Sequence, residues 1–268
     1  MLALPSRAVF AQDPLVPPSA HHEAARIMSA EVAMAQATAL LQALKAQPAP
    51  TTLVDGIRYQ LAIEAAQYAY RDAARQEELR VYEVASYSSV ESSVAPLLPA
   101  TVSKPFEDAV AALHSLYALE GIDQYYLVNV HFVHPYGDAA PVDSLRSFYA
   151  EAQRTYGVDA SYLASINYIE SNFGRVNGPS SANAMGPMQF LPGTWAQYGQ
   201  GGNIMDPHDS ILAAARLLVH NGAPGNMRQA IFHYNLDYDY VDAVEFFARA
   251  YRADPHWLDR MYYWNTVG

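Results

Sequence analysis

One carboxylate in this chain stands where it could move a proton. Glu170 lies near the end of Tyr162-Leu163-Ala164-Ser165-Ile166-Asn167-Tyr168-Ile169-Glu170-Ser171, whose long apolar side chains recur at three- and four-residue spacing without Pro or Gly. That spacing predicts a helix. At about 100° per residue, Glu170 shares a stripe with Leu163 and Ile166 rather than with the polar side. An ionised carboxylate on an apolar stripe is costly, so it keeps its proton to higher pH than a surface Glu does. A general acid working near neutral pH needs that property. The helix gives out at Asn172-Phe173-Gly174, which leaves the carboxyl in the last turn, beside a loop that a ligand can reach. This loop of small residues, Gly178-Pro179-Ser180-Ser181-Ala182-Asn183-Ala184, leads into Met185-Gly186-Pro187-Met188-Gln189-Phe190.

The elements that must hold this acid follow from the local pattern. A helix over 144–156 is stopped by Gly157, and Asp159 is placed to cap the Glu170 helix. A short helix over 194–198 ends at Gly199. Asp206-Pro207 opens another, which carries Ile211, Leu212, Ala215, Leu218 and Val219 and stops at Asn221-Gly222. Two more are expected over 227–234 and 240–251, with Asn226 and Asp239 as their N-caps. This half reads as an all-helical domain around a loop-lined cleft, bounded at about 141–255, with 256–268 as a C-terminal tail.

The first half carries no recognisable chemistry. Residues 1–20 are Pro-rich and read as extended or disordered. Residues 21–140 read as a mostly helical region. One Ala-rich helix runs to the Pro48-Ala49-Pro50 stop, with Ile27, Met28, Val32, Met34, Leu40, Leu41 and Leu44 as its stripe. A second covers about 53–85, with Ile57, Leu61, Ala65, Tyr68, Ala73 and Leu79 as its stripe, and the two can pack as an antiparallel hairpin. Residues 86–103, rich in Ser, Val and Pro, read as a connector. Pro105 suits the first position of a third helix ending near Gly121. The β-branched and aromatic run 124–133 suggests a strand, and 135–138 a turn.

Bulk properties narrow the function classes. The chain has 268 residues, half of them apolar, enough for a real core. Its formal charge is −11, with Lys45 and Lys104 as its lysines and no cluster of arginines, so a nucleic-acid partner is not expected. It has no cysteine, which excludes disulfides and thiolate metal sites. The histidines, including His131, His134 and the pair His21-His22, form no HExxH and have no third ligand at a useful spacing. No metal and no cofactor are expected. No apolar run approaches the roughly 18 residues of a membrane span. Val9-Phe10-Ala11 is similar to the end of a signal peptide, but the apolar part before it is short and broken by Pro5 and Arg7. Two readings fit, a remnant of a longer export signal and a loose start.

Four separated motifs, in order, carry a family resemblance over about 144–251. They are Glu170-Ser171; Gly186-Pro187-Met188-Gln189-Phe190 followed by Pro192, Thr194 and Trp195; His233-Tyr234-Asn235, where Ala-Tyr-Asn is commoner; and Tyr240-Val241-Asp242-Ala243-Val244. Together they resemble the soluble-lytic-transglycosylase (SLT) domain, which shares its fold with goose-type lysozyme. The fold class this implies is mainly α, a lysozyme-like SLT catalytic domain behind an N-terminal helical region. The implied activity is cleavage of the β-1,4 bond between N-acetylmuramic acid and N-acetylglucosamine in peptidoglycan, outside the cytoplasm, in the periplasm or envelope. By the resemblance Glu170 is the single acid and base, and the product carries a 1,6-anhydro ring. Ser171 orients the sugar or the acid, Gln189 bonds substrate, Tyr234 and Asn235 line the cleft, and Tyr240 holds the Glu170 carboxyl. Met188 and Phe190 come with the motif into the substrate-binding set. By residue type, Met188 and Trp195 read as core, while Phe190 and Tyr198 either face a sugar ring or fill the core.

One acid suits this scheme. An ordinary glycosidase needs two carboxylates about 5–10 Å apart. The acids nearest Glu170 in sequence are Asp159, in a capping role, and Asp206 beyond the loop, although folding could bring Asp206, Asp237 or Asp239 close. An internal hydroxyl needs no water-activating base, because its effective concentration is already high. Two alternatives remain at this level: a hydrolytic muramidase on the same fold, and a non-catalytic glycan-binding envelope protein that acts in assembly through a partner on 21–140.

Overall fold

The computed structural model describes residues 7–9, 17–121, 130–132, 137–176 and 178–264. Most of them are helical. Ala20–Lys45 (α1) and Leu53–Ala85 (α2) form the long hairpin, with Thr52 capping α2 by accepting from the Asp55 N–H at 3.1 Å. The two run antiparallel: Arg80 of α2 pairs with buried Glu23 of α1 at 3.3 Å, and Met34 and Ala37 pack with Tyr70, Ala73 and Ala74. The buried face of α2 differs from the expected stripe. Ala66, Tyr70, Ala73, Ala74, Glu77 and Val81 face inward, while Ile57, Leu61, Tyr68 and Leu79 are exposed, as are Val32 and Leu40 of α1. Small alanines let the two helices approach closely, and that outweighs the larger apolar residues on the far side of α2.

Helix α1 is also the described helix that is long and apolar enough to cross a membrane, with a mean hydropathy of 1.3 and 28% of that window buried. It passes by length and average composition only; Ser29, Glu31, Gln36, Thr38 and Gln42 interrupt it, so the sequence has no unbroken apolar run of that length there. Ala30, Met34 and Ala37 of this helix are buried, and its Glu31 pairs with Arg260 at 2.6 Å.

The expected connector is not irregular. Ser88–Val94 (α3) is a helix followed by a 3-10 turn at Ala95–Leu97. Ser92 and Ser93 bond back to the carbonyls of Ser88 and Ser89, and Val90 and Val94 bury one face. Serine-rich composition hides such a helix because its hydroxyls are satisfied internally. The next helix, Ala100–Leu119 (α4), starts at Pro99 and carries Pro105 inside it, not at its first position. The carbonyl that Pro105 leaves unbonded belongs to solvent-exposed Thr101.

Of the stretch expected as a strand, Val130–Phe132 (β2) is described and pairs antiparallel with Arg7–Val9 (β1), Ala8 opposite His131. The rest of 124–133 falls outside the described residues. So do His134, Pro135 and Tyr136 of the expected turn, and Phe10-Ala11 of the signal-like ending.

The second half contains Val142–Tyr156 (α5), Ala160–Ser171 (α6), Pro192–Tyr198 (α7), Pro207–His220 (α8), Met227–Phe232 (α9), Tyr238–Ala253 (α10) and Trp257–Tyr263 (α11). Asp159, Asp206 and Asn226 cap α6, α8 and α9. The cap of α10 is Asp237, not Asp239. The Asp237 carboxylate accepts from the Asp239 N–H at 2.8 Å. Residues read as a tail contain α11, whose Trp257, Leu258 and Met261 are buried.

Helix α6 is the centre of this half. It packs against α5, α8, α10 and α11, and every residue from Leu163 to Ser171 is buried. A single core runs from Ala24 and Ile27 of α1 through Phe106, Val110 and Leu113 of α4 to Leu163, Ile166, Val241, Val244 and Trp257. Helix α4 lies along α10, where Asp108, nearly fully buried, accepts from Arg249 at 2.9 and 3.0 Å and from Lys104 at 3.3 Å. Arg260 of α11 ties the hairpin to the second half through Glu31, Glu77 (2.9 Å) and Asp254 (3.0 Å).

Candidate active site

Glu170 sits in the last turn of α6, with 7% of its surface exposed. The helix ends beside it in a left-handed turn through Asn172 (φ 49°), Phe173 (φ 62°) and Gly174 (φ 88°). Phe173 is held in that uncommon conformation by full burial against Tyr168 and Tyr262. The carboxyl therefore stays close to the surface while most of it is out of water. Its pKa is pushed up to about 7: burial raises it, and the hydrogen bond from Tyr240 works the other way. The negative end of the helix dipole also disfavours an anion at a helix C-terminus.

Tyr240, fully buried in the first turn of α10, donates to Glu170 Oε1 at 2.6 Å. Burial first, and then the neighbouring Glu170 carboxyl, raise its own pKa well above the ordinary tyrosine range, so the phenol keeps the proton it donates. Tyr234 stacks on Tyr240 with ring centroids 6.4 Å apart and planes 9° from parallel. Its hydroxyl donates to the Met188 carbonyl at 2.7 Å, which links α9 to the loop.

That loop is a tight closed turn. Met185 and Phe190 exchange two backbone hydrogen bonds of 2.9 Å, and the Gln189 N–H closes on the Gly186 carbonyl at 3.0 Å. Gly186 is required at its position: its φ is +76°, and a Cβ there would fall 1.9 Å from the Ile204 carbonyl oxygen. Gln189, itself left-handed at φ 47°, donates through Nε2 to the Gly186 carbonyl at 3.0 Å. Its Oε1 is buried and finds no partner among the described residues. A buried acceptor without a partner is the kind of group that a ligand's N–H or O–H donor can satisfy.

The remaining residues singled out from sequence divide sharply. Ser171 is 1% exposed; its hydroxyl donates to the Pro187 carbonyl at 2.5 Å and accepts from the Gly174 N–H at 2.8 Å. It is tied up in the protein and reaches the loop, not the surface. Met188 and Phe190, placed in the substrate-binding set from sequence, have side chains that are fully or almost fully buried. Phe190 packs between Trp195 (5.5 Å) and Tyr234 (6.1 Å), so the Met188 and Phe190 side chains both fill the core, which is the reading by residue type for Met188 and one of the two for Phe190. Asn235 is half-buried in the turn between α9 and α10, and Tyr198 is half-buried against His220.

Two of the candidate second carboxylates are engaged in capping. Asp206 and Asp237 cap helices, and Asp239 lies in the first turn that Asp237 caps. Asp206, His208 and Asp209 bring ligand-type atoms within 4.8 Å of one another. Those atoms already serve the fold: Asp206 accepts from the Asp209 N–H, Asp209 from the Asn203 N–H, and His208 bonds Glu151 at 3.0 Å. Sequence reasoning passes over Asn167 and Tyr149, which join α5 and α6 to the loop. The available signal was an amide in an otherwise apolar stretch of helix, which must find a buried partner. Residues 147–238 match a family model described as the transglycosylase SLT domain. No curated protein and no solved structure matches the chain.

Proposed function

From the premise that residues 147–238 are a transglycosylase SLT domain, mainly helical and lysozyme-like, we propose that the protein is a peptidoglycan lytic transglycosylase with Glu170 as its one acid and base. Its substrate is the glycan strand of the bacterial envelope, reached after export, and the bond cut joins N-acetylmuramic acid to N-acetylglucosamine. The observation that carries this reading is the buried carboxyl at the end of α6, held by a phenol that keeps its proton and with its pKa pushed up to about 7 by burial. Such a group is protonated often enough to give its proton and basic enough to take one back.

In the reaction, Glu170 delivers its proton to the glycosidic oxygen as the C1–O4 bond breaks. Positive charge builds at C1 of the muramic acid. The C6 hydroxyl of the same sugar closes onto C1, and its proton goes to the Glu170 carboxylate, which restores the starting acid. Water is neither consumed nor activated, so no second carboxylate is needed. Tyr240 steadies the carboxylate formed midway. Gln189 offers its free Oε1 to a substrate donor, while Tyr234 and Asn235 wall the cleft.

Purified sacculi incubated with the protein, followed by mass analysis of released muropeptides, tests the proposal. Products one water lighter than hydrolytic fragments are expected. Heavier, reducing-end products would move the activity to a muramidase. An absence of release, with sacculus binding retained in both wild type and Glu170→Gln, would leave a glycan-binding protein.

A further inference from the structure

The turn that carries Gln189 closes on itself through its own backbone bonds, but two successive carbonyls in it take their donors from outside the turn. The Met188 carbonyl takes the Tyr234 hydroxyl at 2.7 Å. The Pro187 carbonyl takes the Ser171 hydroxyl at 2.5 Å and the Asn167 amide Nδ2 at 2.8 Å. Both peptide planes that flank Met188 are thereby fixed from elements outside the loop.

Asn167 is fully buried, one turn before Glu170 on α6. Its other amide end is also held, since Oδ1 accepts from the Tyr149 hydroxyl of α5 at 2.6 Å. Tyr149 is itself fully buried, and burial raises its pKa well above the usual value, so it stays a donor. The amide then has one orientation: oxygen towards Tyr149, nitrogen towards Pro187. A chain of two hydrogen bonds therefore runs from α5 through α6 into the loop, alongside the acid and out of reach of any sugar.

We propose that Asn167, braced by Tyr149, is a positioning residue: it sets the Pro187–Met188 peptide, and through it the place of Gln189 relative to Glu170. This rests on the transglycosylase reading for its catalytic consequence, but its structural half stands apart. A reacting group displaced by about 1 Å can lose two orders of magnitude in rate. Asn167 touches no substrate, so its loss acts on kcat more than on KM.

The test uses the full chain with Asn167→Leu and the double variant Tyr149→Phe/Asn167→Leu. The single variant leaves the Tyr149 hydroxyl buried without an acceptor and loses stability on that account. The double variant replaces both partners by apolar groups and recovers most of it. In each, muropeptide release should fall in kcat by roughly 10- to 100-fold with KM little changed. The alkaline limb of the pH profile should stay in place, because the Glu170–Tyr240 contact is untouched. Amide hydrogen exchange at Gln189, followed by NMR, reads the loop directly and should speed up at least tenfold in the double variant.

A stable double variant with wild-type exchange at Gln189 would overturn the proposal, as would wild-type kcat. If the wild-type protein releases nothing from sacculi while exchange at Gln189 still responds to Asn167, the transglycosylase reading has failed and the positioning of the loop has not.

Discussion

Tyr240 and Glu170 meet at 2.6 Å between the first turn of α10 and the last turn of α6, both with buried side chains. The contact couples two opposing demands on one carboxyl. Burial favours its protonated form, and the phenol supports its charged form, so the two together set the pH at which it titrates.

For a general acid, kcat/KM should fall with unit slope as pH rises through about 7, the value to which burial brings Glu170. Tyr240→Phe removes the effect that lowers this value, so the descending limb moves to higher pH while the maximal rate drops. A pH–rate series on muropeptide release measures both. A limb that moves to lower pH would contradict the assigned direction.

Glu170→Gln should abolish release and stabilise the fold. The folded pKa is raised from 4.5 to about 7, so the stability tied to this group is complete below about 4.5 and is lost as pH rises through 7. The gap between variant and wild type should therefore open between pH 4.5 and 7. Above that it should level off on the order of 3 kcal/mol, in urea titrations at a series of pH values.

Gly186→Ala places a methyl against the Ile204 carbonyl at a left-handed φ. It should cost at least ~2 kcal/mol and disorder the loop. Gly193→Ala is the control: nothing lies within 4 Å of the added Cβ, and the site is within α7, so stability should hold or rise by up to about 1 kcal/mol. Thermal melts of the two variants should differ in sign or clearly in size.

Arg260→Met removes the cation shared by Glu31, Glu77 and Asp254. Glu77 has no exposed surface, and burial pushes its pKa up to about 8 even with Arg260 beside it. Breaking one side of such a buried pair costs roughly 3–5 kcal/mol. The loss should grow as pH rises through about 8, since the wild type can then ionise Glu77 beside Arg260 and the variant cannot. Adding Glu77→Gln should recover part of it in the same melts.

Much of the second half was legible because its signals are local. Caps at Asp159, Asp206 and Asn226 and stops at Gly157 and Gly199 each act within one turn of chain. The burial of Glu170 was inferred from a stripe, but its cause is wider: α6 is surrounded by four helices and buried on every side. The inward face of α2 was not legible, because large apolar residues lie on its outer face while alanines and Glu77 lie on its inner one. Asn167 escaped for a related reason. Its partners Tyr149 and Pro187 stand 18 and 20 residues away in sequence, and spacing within one helix says nothing about them.

The packing of α4 along α10 ties a helix from the first half of the chain to the helix that carries Tyr240. Asp108, sixty-odd residues before the acid, is the buried anion on which Arg249 closes, and Arg249 shares its helix with Tyr240. Genetic screens for lost function should accordingly return lesions in α4 as readily as in the cleft. A piece cut at residue 141 would keep Glu170 and Tyr240 and lose the helix along which α10 is packed.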